Sequence, residues 1–384
     1  MISARRLAWL QLRRRKVRLA VALAGVGFAV VLMLMQVGFE DALFQSAVNV
    51  HERLKGDIVL ISPRYNAIAF PTTFPRRRLY QTLSFDGVVS VSAVYTSLGR
   101  WKNPATGKTR QIFTIGLDPA KEVLDVPELA ERRALIRYPD VVLYDELSRP
   151  EFGPIAAMVA SGQEVATEVS DRRITVKGLL RLGTSFGVDG TIVTSDVNFM
   201  RIFPGRTPAA ISIGLVQLEP GADTGAVREA LAAALPRDVE VLTKPQFMQR
   251  EIDYWDAATP IGFVFKFGVI MGLVVGGIIV YQILYADVAD HLGEYATLKA
   301  IGYMDRYLAA VVLTEALTLA VLGYVPGLAA CWWLYGVTAA ATNLPMQIAP
   351  GRGLVVLGLT IAMCGVSGLI ALRKLRAADP AEIF

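Results

Sequence analysis

The chain has 384 residues, of which 53% are hydrophobic and 19% are charged, a composition too apolar for an ordinary soluble protein. Its net charge of +5 reflects basic residues gathered at the two ends, each group beside an apolar run. This distribution indicates membrane topology and argues against a nucleic-acid-binding surface. The two cysteines, Cys331 and Cys364, lie in apolar segments and provide neither a disulfide framework nor the spacing of a metal site.

Residues 1–18 are predicted to form an amphipathic helix on the cytoplasmic membrane surface. Leu7, Leu10, Gln11, Arg14 and Val17 share one side of such a helix, and arginines surround most of the rest. The alternative is that this segment is only a positively charged anchor for the span that follows.

Four apolar runs are long enough to cross a bilayer, which takes roughly 20 apolar residues. We predict transmembrane helices at residues 19–39, 261–286, 307–338 and 354–372. The first run exceeds the ~7–15 apolar residues of a signal peptide and has no small-residue cleavage site after it, so we predict that it is retained.

Residues 40–256, between the first two spans, have the composition of a soluble domain. Helical spacing over residues 40–55 with a stop at Gly56, and again over 244–255, predicts two helical stalks. Strands are predicted at 57–62, 88–95, 111–117 and 239–242, a hairpin turn at Asp171 and Arg172, and a helix at 223–235. The predicted fold class is a membrane protein with four transmembrane helices and one α+β extracytoplasmic domain between spans 1 and 2.

The charged flanks set the predicted orientation. Basic residues precede the first span and also follow the fourth, in a tail of residues 373–384. They are Arg5, Arg6, Arg13, Arg14, Arg15, Lys16 and Arg18 at the start, and Arg373, Lys374 and Arg376 at the end. By the positive-inside rule, both termini are predicted to be cytoplasmic, as expected for a multi-pass protein of a bacterial inner membrane.

The loop at residues 287–306 is cytoplasmic in this topology, although it is mildly acidic. It is dense in charge, its pattern is helical up to Gly302, and it is too short to hold a core of its own. We interpret it as a docking helix that receives force from a cytoplasmic partner; the alternative is a solvated connector. The candidate coupling residues are Asp287, Asp290, His291, Glu294, Lys299 and Gly302.

Within the spans, Glu315 is a carboxylate at a depth where charge is costly, and we predict that it makes structural hydrogen bonds between helices. A proton relay would need further ionisable groups in the other spans. The pairs Gly272 with Gly276 and Gly323 with Gly327 have the GxxxG spacing that allows close helix approach. Pro326 is expected to kink the third span.

No catalytic or cofactor chemistry is apparent in the chain. The Gly107-Lys108-Thr109 stretch resembles the end of a phosphate-binding loop, but the required earlier glycine is replaced by Lys102, so a turn is predicted. His51 and His291 fall on opposite sides of the membrane and belong to no metal or hydrolase signature. We expect no enzyme activity and no cofactor in this chain.

Several motifs resemble the MacB/FtsX/LolC class of ABC-transporter permeases, and the DevC-type permeases of DevBCA exporters most closely. The loop EYATLKAIG at 294–302 and TEA at 314–316 carry the resemblance to the class. The DevC-type segments are LAWLQL at 7–12, FEDALFQSA at 39–47, LISP at 60–63, YQILYADVADH at 281–291 and RKLRAADPAEIF at 373–384.

The resemblance implies a mechanotransmission machine. Two permease copies pair above a separate cytoplasmic ATPase dimer, which binds ATP and magnesium and pushes the coupling loop. In the DevBCA relatives, a membrane-fusion adaptor and a TolC-like outer-membrane channel complete the route, and glycolipid is the cargo. For this chain, the resemblance therefore implies export of a lipid-like or glycolipid-like substrate, contact with membrane lipid and no nucleic-acid partner.

Two alternatives remain from the sequence. One is an FtsX-like regulator that activates a periplasmic cell-wall hydrolase, which a hydrolase or coiled-coil partner would favour. The other is a sensory receptor, although only a few residues follow Arg376, where receptors of this shape carry a cytoplasmic signalling domain.

Overall fold

The structure is a computed structural model that describes residues 16–377 apart from 184, 186, 343, 345 and 348. It divides into two compact units. The membrane unit comprises Met1–Ala42 and Pro260–Phe384, and the inserted domain comprises Leu43–Thr259. Most of the predicted amphipathic helix at 1–18 and the end of the tail at 373–384 lie outside the described residues.

The chain begins with helix α1 (Lys16–Ala47), whose buried residues recur at helical spacing: Ala22, Val26, Ala29, Val30 and Met33. The following helix α2 (Asn49–Arg53) is separate, because Val48 interrupts the helix and Leu54 is extended. The helical extension predicted over residues 40–55 is therefore present in part: it breaks at Val48 and ends at Arg53, two residues before Lys55. The extended Leu54 forms a β-bridge with Leu124, which directs the chain into the sheet.

The inserted domain mixes strands and short helices along the chain. In order, they are β1 (Ile58–Ile61), β2 (Phe74–Pro75), α3 (Arg76–Gln81), β3 (Val88–Lys102), β4 (Thr109–Leu117), α4 (Pro127–Arg132), β5 (Val141–Asp145), α5 (Ile155–Ala160), β6 (Val165–Val169), β7 (Arg172–Leu180), β8 (Thr191–Ser195), α6 (Asp196–Ile202), β9 (Ala210–Ile211), β10 (Ile213–Leu218), α7 (Thr224–Ala234), β11 (Glu240–Thr243) and α8 (Lys244–Ala257).

Nine of these strands form one sheet in the order β11-β1-β10-β3-β4-β8-β5-β7-β6, and β2 pairs with β9. The β4–β8 and β5–β7 pairs are parallel, and the other neighbouring pairs are antiparallel. Because β3 is long, its far end also pairs with β6, through Trp101 and Val169. The helices cover the sheet and leave three buried apolar clusters within the domain.

Local signals placed several elements correctly. Asp223 caps α7 by accepting from the amides of Gly225 and Ala226, and Thr243 opens α8 with a capping box that includes Gln246. The β6–β7 turn, however, is formed by Ser170 and Asp171, both with positive φ. The Gly107 stretch is the predicted turn, between β3 and β4, with a φ of 72° at Gly107.

The membrane unit continues with α9 (Pro260–Asp290), α10 (Leu292–Ala300), α11 (Asp305–Thr342) and α12 (Pro350–Ala377). Among the described residues, four helices are long and apolar enough to cross a membrane: α1, α9, α11 and α12. The inserted domain connects α1 to α9 in sequence, so the predicted fold class is confirmed. Helix α11 is unbroken through Pro326.

Candidate coupling site

Helix α10 lies at the junction of α9 and α11 and packs against both. Tyr295 and Ala296 on one face are buried, and Tyr295 joins an apolar cluster with Val288 of α9 and Leu308 of α11. Gly293, Glu294 and Thr297 are exposed. The helix is therefore amphipathic, with the Glu294 carboxylate on its exposed face.

Both ends of α10 are held in place. At its start, the His291 ring nitrogen Nδ1 lies 2.9 Å from the carbonyl oxygen of Asp287. At its end, Gly302 has a φ of 101°, its amide donates to Lys299, and the Tyr303 amide donates to the carbonyl of Leu298. This is the Schellman arrangement, in which glycine adopts the left-handed conformation without steric cost.

The charged candidates divide between the surface and the interior. The Lys299 ammonium lies 3.0 Å from Asp305 of α11, and Asp290 accepts a 2.6 Å hydrogen bond from Arg18 of α1. Asp287 and His291, in contrast, are buried with exposures of 8% and 7%. Among the six candidates, Glu294 is thus placed to meet a partner, whereas Asp287, Asp290 and Lys299 join helices of this chain.

Glu315 lies in α11 with no exposed surface. The group it faces is the Asp287 carboxyl of α9. Among the described residues, neither Glu315 oxygen has a hydrogen-bond donor. The pairing of these two acids was not predicted from the sequence, because they lie on different helices and are separated by α10.

The four candidate glycines all face α1. A Cβ at Gly276 would lie 2.5 Å from the Cβ of Ala29, and one at Gly272 would lie 3.0 Å from Met33. On α11, a Cβ at Gly323 would lie 2.6 Å from Val26. The closest backbone approach joins Gly327 to the carbonyl oxygen of Gly27, a residue that sequence reasoning did not single out, at 2.8 Å from the built Cβ.

The inserted domain contains a buried polar cluster, which we call the stalk junction: His51, Tyr65, Glu251 and Trp255. Glu251 accepts hydrogen bonds from the Tyr65 hydroxyl at 2.9 Å, the Ile68 amide at 3.0 Å and the Trp255 indole at 3.0 Å. The His51 Nε2 lies 3.3 Å from the same carboxylate. These contacts join α2, α8 and the segment after β1.

Aromatic packing and burial define the surroundings of the stalk junction. The His51 ring packs against Phe247 with centroids 4.5 Å apart. Burial, together with the neighbouring Glu251 carboxylate, raises the pKa of Tyr65 well above its ordinary value, so the phenol stays a donor. Sequence reasoning missed this cluster. The available signal was Glu251 at helical spacing from two aromatic residues, Phe247 and Trp255, on an otherwise polar helix.

A lysine also ties the two helices of the junction together. The Lys244 ammonium, in the first turn of α8, donates at 2.8 Å to the carbonyl oxygens of both Glu52 and Leu54. These carbonyls lie at the end of α2, where a positive charge satisfies unpaired acceptors. The arrangement fixes α8 to α2 within the inserted domain.

Comparison with known proteins identifies the class of the C-terminal part. Residues 266–380 match the family model for the C-terminal domain of FtsX-like permeases, a range that covers α10, α11, α12 and most of α9. This part of the chain is therefore similar to the FtsX-like permease domain, and the four apolar helices among the described residues indicate a multi-pass membrane protein. No curated protein sequence matches the chain.

Two solved structures illustrate the similarity to extracytoplasmic domains. One is the periplasmic region of MacB from Actinobacillus actinomycetemcomitans, at 11% identity and a TM-score of 0.35, covering 53% of this chain and 96% of that one. The other is the extracellular domain of the noncanonic ABC-type transporter YknZ from Gram-positive bacteria, at 16% identity and a TM-score of 0.34, covering 48% of this chain and 99% of that one.

Proposed function

We propose that this chain is the permease subunit of an ABC transporter of the MacB/FtsX/LolC class and transmits motion from a separate ATPase to its inserted domain. The observation that carries the proposal is the FtsX-like permease domain at residues 266–380. ATP and magnesium bind to the partner ATPase in this proposal, and this chain needs no cofactor of its own.

Helix α10 is the proposed contact with the ATPase dimer. Its exposed face carries Glu294, and its buried face and both ends are attached to α9 and α11. A push on α10 therefore acts on two membrane helices, since a short helix fixed at both ends cannot absorb the movement alone. The proposed coupling residues are those around it, from Asp287 to Gly302.

The proposed route is that of a DevC-type exporter in a bacterial inner membrane. It includes a second permease copy, a periplasmic membrane-fusion adaptor, a TolC-like outer-membrane channel and a lipid-like or glycolipid-like cargo. The surface of α9 favours an apolar partner, because several of its large apolar side chains are at least 49% exposed. They are Phe263, Phe267, Val274 and Ile278. Membrane lipid and the second copy are the proposed neighbours of this face.

Affinity purification of the full chain in mild detergent tests the assembly. We expect an ABC ATPase and an adaptor among the co-purifying chains. A cell-wall hydrolase or coiled-coil protein in place of the adaptor would favour the FtsX-like regulator. Recovery without any ATPase would contradict both.

The coupling role is tested by Glu294→Lys. Because the side chain is exposed, we expect the protein to fold and insert normally while transport is uncoupled from ATP hydrolysis. Glu229→Lys, an equal charge change at an exposed position of α7, is the matched control and leaves coupling intact. Equal transport by the two variants would contradict a contact at Glu294.

The proposed topology, with both termini in the cytoplasm, is tested by single cysteines introduced at Gly293 and Gly107. Cys331 and Cys364 are buried, so they give a low labelling background. In intact spheroplasts, an impermeant maleimide should label a cysteine at position 107 and spare one at position 293. The opposite pattern would place residues 287–302 outside and overturn the proposed coupling.

A further inference from the structure

Glu315 is an acid buried within the membrane unit. It has no exposed surface, and both of its oxygens lack a hydrogen-bond donor among the described residues. Ionising a carboxylate in such surroundings is costly, because burial removes the water that would hydrate the charge. The ionised form of Glu315 is therefore strongly disfavoured.

The group opposite Glu315 is a second acid in a different environment. Asp287 faces Glu315 from α9. The Arg18 guanidinium of α1 lies 3.9 Å from the Asp287 Oδ1. The His291 Nδ1 lies 3.7 Å from the same oxygen, and Asp290, one turn further along α9, binds Arg18 at 2.6 Å. Positive charge is thus available on the Asp287 side of the pair.

Two facing carboxyl groups cannot both be ionised at this depth, because each charge raises the energy of the other. A single proton removes the repulsion and converts one of the two acids into a hydrogen-bond donor toward the other. Since Arg18 favours the ionised form of Asp287, the proton belongs on Glu315.

We propose that Glu315 and Asp287 form a proton-binding site. Glu315 holds one proton and donates a hydrogen bond through it to the ionised Asp287. The shared proton joins α9 to α11, the two helices that α10 connects. Its loss would place two negative charges face to face and weaken that junction. This inference concerns the ligand of two buried acids and does not depend on the proposed transport function, so its test requires no ATPase.

The direct test uses the purified full chain in lipid nanodiscs at neutral pH. Dicyclohexylcarbodiimide, an apolar reagent that modifies protonated carboxyl groups, should label Glu315, as identified by peptide mass spectrometry. The infrared spectrum should contain the carbonyl stretch of a protonated acid. Both signals should disappear in Glu315→Gln and persist in Glu229→Gln, the same substitution at an exposed acid of α7.

Thermal unfolding over a pH series provides the second measurement. Wild type and Glu229→Gln should lose melting temperature from neutral to alkaline pH, whereas Glu315→Gln should lose less, because its amide keeps a donor toward Asp287 at every pH. This variant preserves shape, so a folding failure is not expected. If it fails to fold, labelling and the infrared band in the wild type still decide the proposal.

Three results would overturn the proposed proton site. The first is absence of both the label and the protonated-acid band in the folded wild type. The second is identical pH dependence in the wild type and Glu315→Gln. The third is stabilisation of the wild type by sodium or potassium that is lost in Glu315→Gln, since a metal cation would then occupy the place assigned to the proton.

Discussion

Glu251 in the inserted domain and Glu315 in the membrane unit are equally buried, with exposures of 1% and 0%, but are stabilised in different ways. Glu251 receives three hydrogen bonds from uncharged donors and has His51 beside it. Glu315 receives none from the described residues and faces another acid. A domain rich in strands and loops can bring backbone and side-chain donors to a buried charge. Adjacent membrane helices, whose backbone groups are already paired, require a proton instead.

The largest effect is expected at Glu251. Replacing it with alanine leaves the Tyr65, Ile68 and Trp255 donors buried without an acceptor, and we expect a loss of about 3–5 kcal/mol in the unfolding free energy of the inserted domain. Denaturant unfolding of the detergent-solubilised full chain, followed by tryptophan fluorescence, measures this loss. Glu229→Ala, on the exposed surface of α7, should change the stability by less than about 0.5 kcal/mol.

The pH dependence of the inserted domain's stability tests this difference further, because Asp145 is buried and also accepts hydrogen bonds from backbone amides. It accepts from the amides of Leu147, Leu182 and Gly183, yet burial raises its pKa from 3.8 to about 6. A raised pKa means that the folded state prefers the protonated acid. This contribution to stability is full below pH 4 and is lost as pH rises to 6, by about 2–3 kcal/mol.

Asp140 should change stability in the opposite direction. Hydrogen bonds from Arg201 and Arg172 lower its pKa from 3.8 to about 2. Its stabilisation is present above pH 4 and disappears as pH falls toward 2. Unfolding free energies measured from pH 2 to 6 should show the two contributions separately: Asp145→Asn should flatten the upper range and Asp140→Asn the lower. A variant that alters the other range would contradict this assignment.

Packing in the membrane unit is tested by Gly327→Ala. The added Cβ meets the Gly27 carbonyl oxygen at 2.8 Å, a backbone atom that cannot move aside, so we expect a loss of about 1–3 kcal/mol from overpacking. Thermal stability in detergent measures the loss. Gly336→Ala on the same helix is the matched control, because its Cβ would have no neighbour within 4 Å and alanine favours the helix. Equal destabilisation of both variants would mean that the approach to α1 is not limiting.

The smallest effect is expected when Glu315 and Glu251 are each replaced with glutamine and the stabilities of the two variants are compared. Glu315→Gln reproduces a protonated acid in shape and donor, and should cost less than about 1 kcal/mol at neutral pH. Glu251→Gln directs an amide N–H₂ toward existing donors and should cost more, about 1–3 kcal/mol. Reversal of this order in thermal unfolding would remove the distinction between the two sites.

The features of the fold that depend on local sequence could be predicted. Apolar runs of transmembrane length, the Asp223 cap and the start of α8 at Lys244 depend on neighbours along the chain, and each is present in the structure. Strands β5 and β8 were not predicted. All five residues of each are buried, so the strands lack the alternation that signals a half-exposed strand.

For the candidate sites, composition and local pattern determined which segment is charged, that α10 stops before Gly302 and which spans contain glycine pairs. They did not determine which groups meet. The pairing of Glu315 with Asp287, the contact of Gly27 with Gly327 and the joining of His51, Tyr65 and Glu251 were decided by the tertiary structure. The physical reason is that helix periodicity and capping act over one or two turns. Whether a buried acid finds a donor, a cation or another acid depends on elements brought together only by folding.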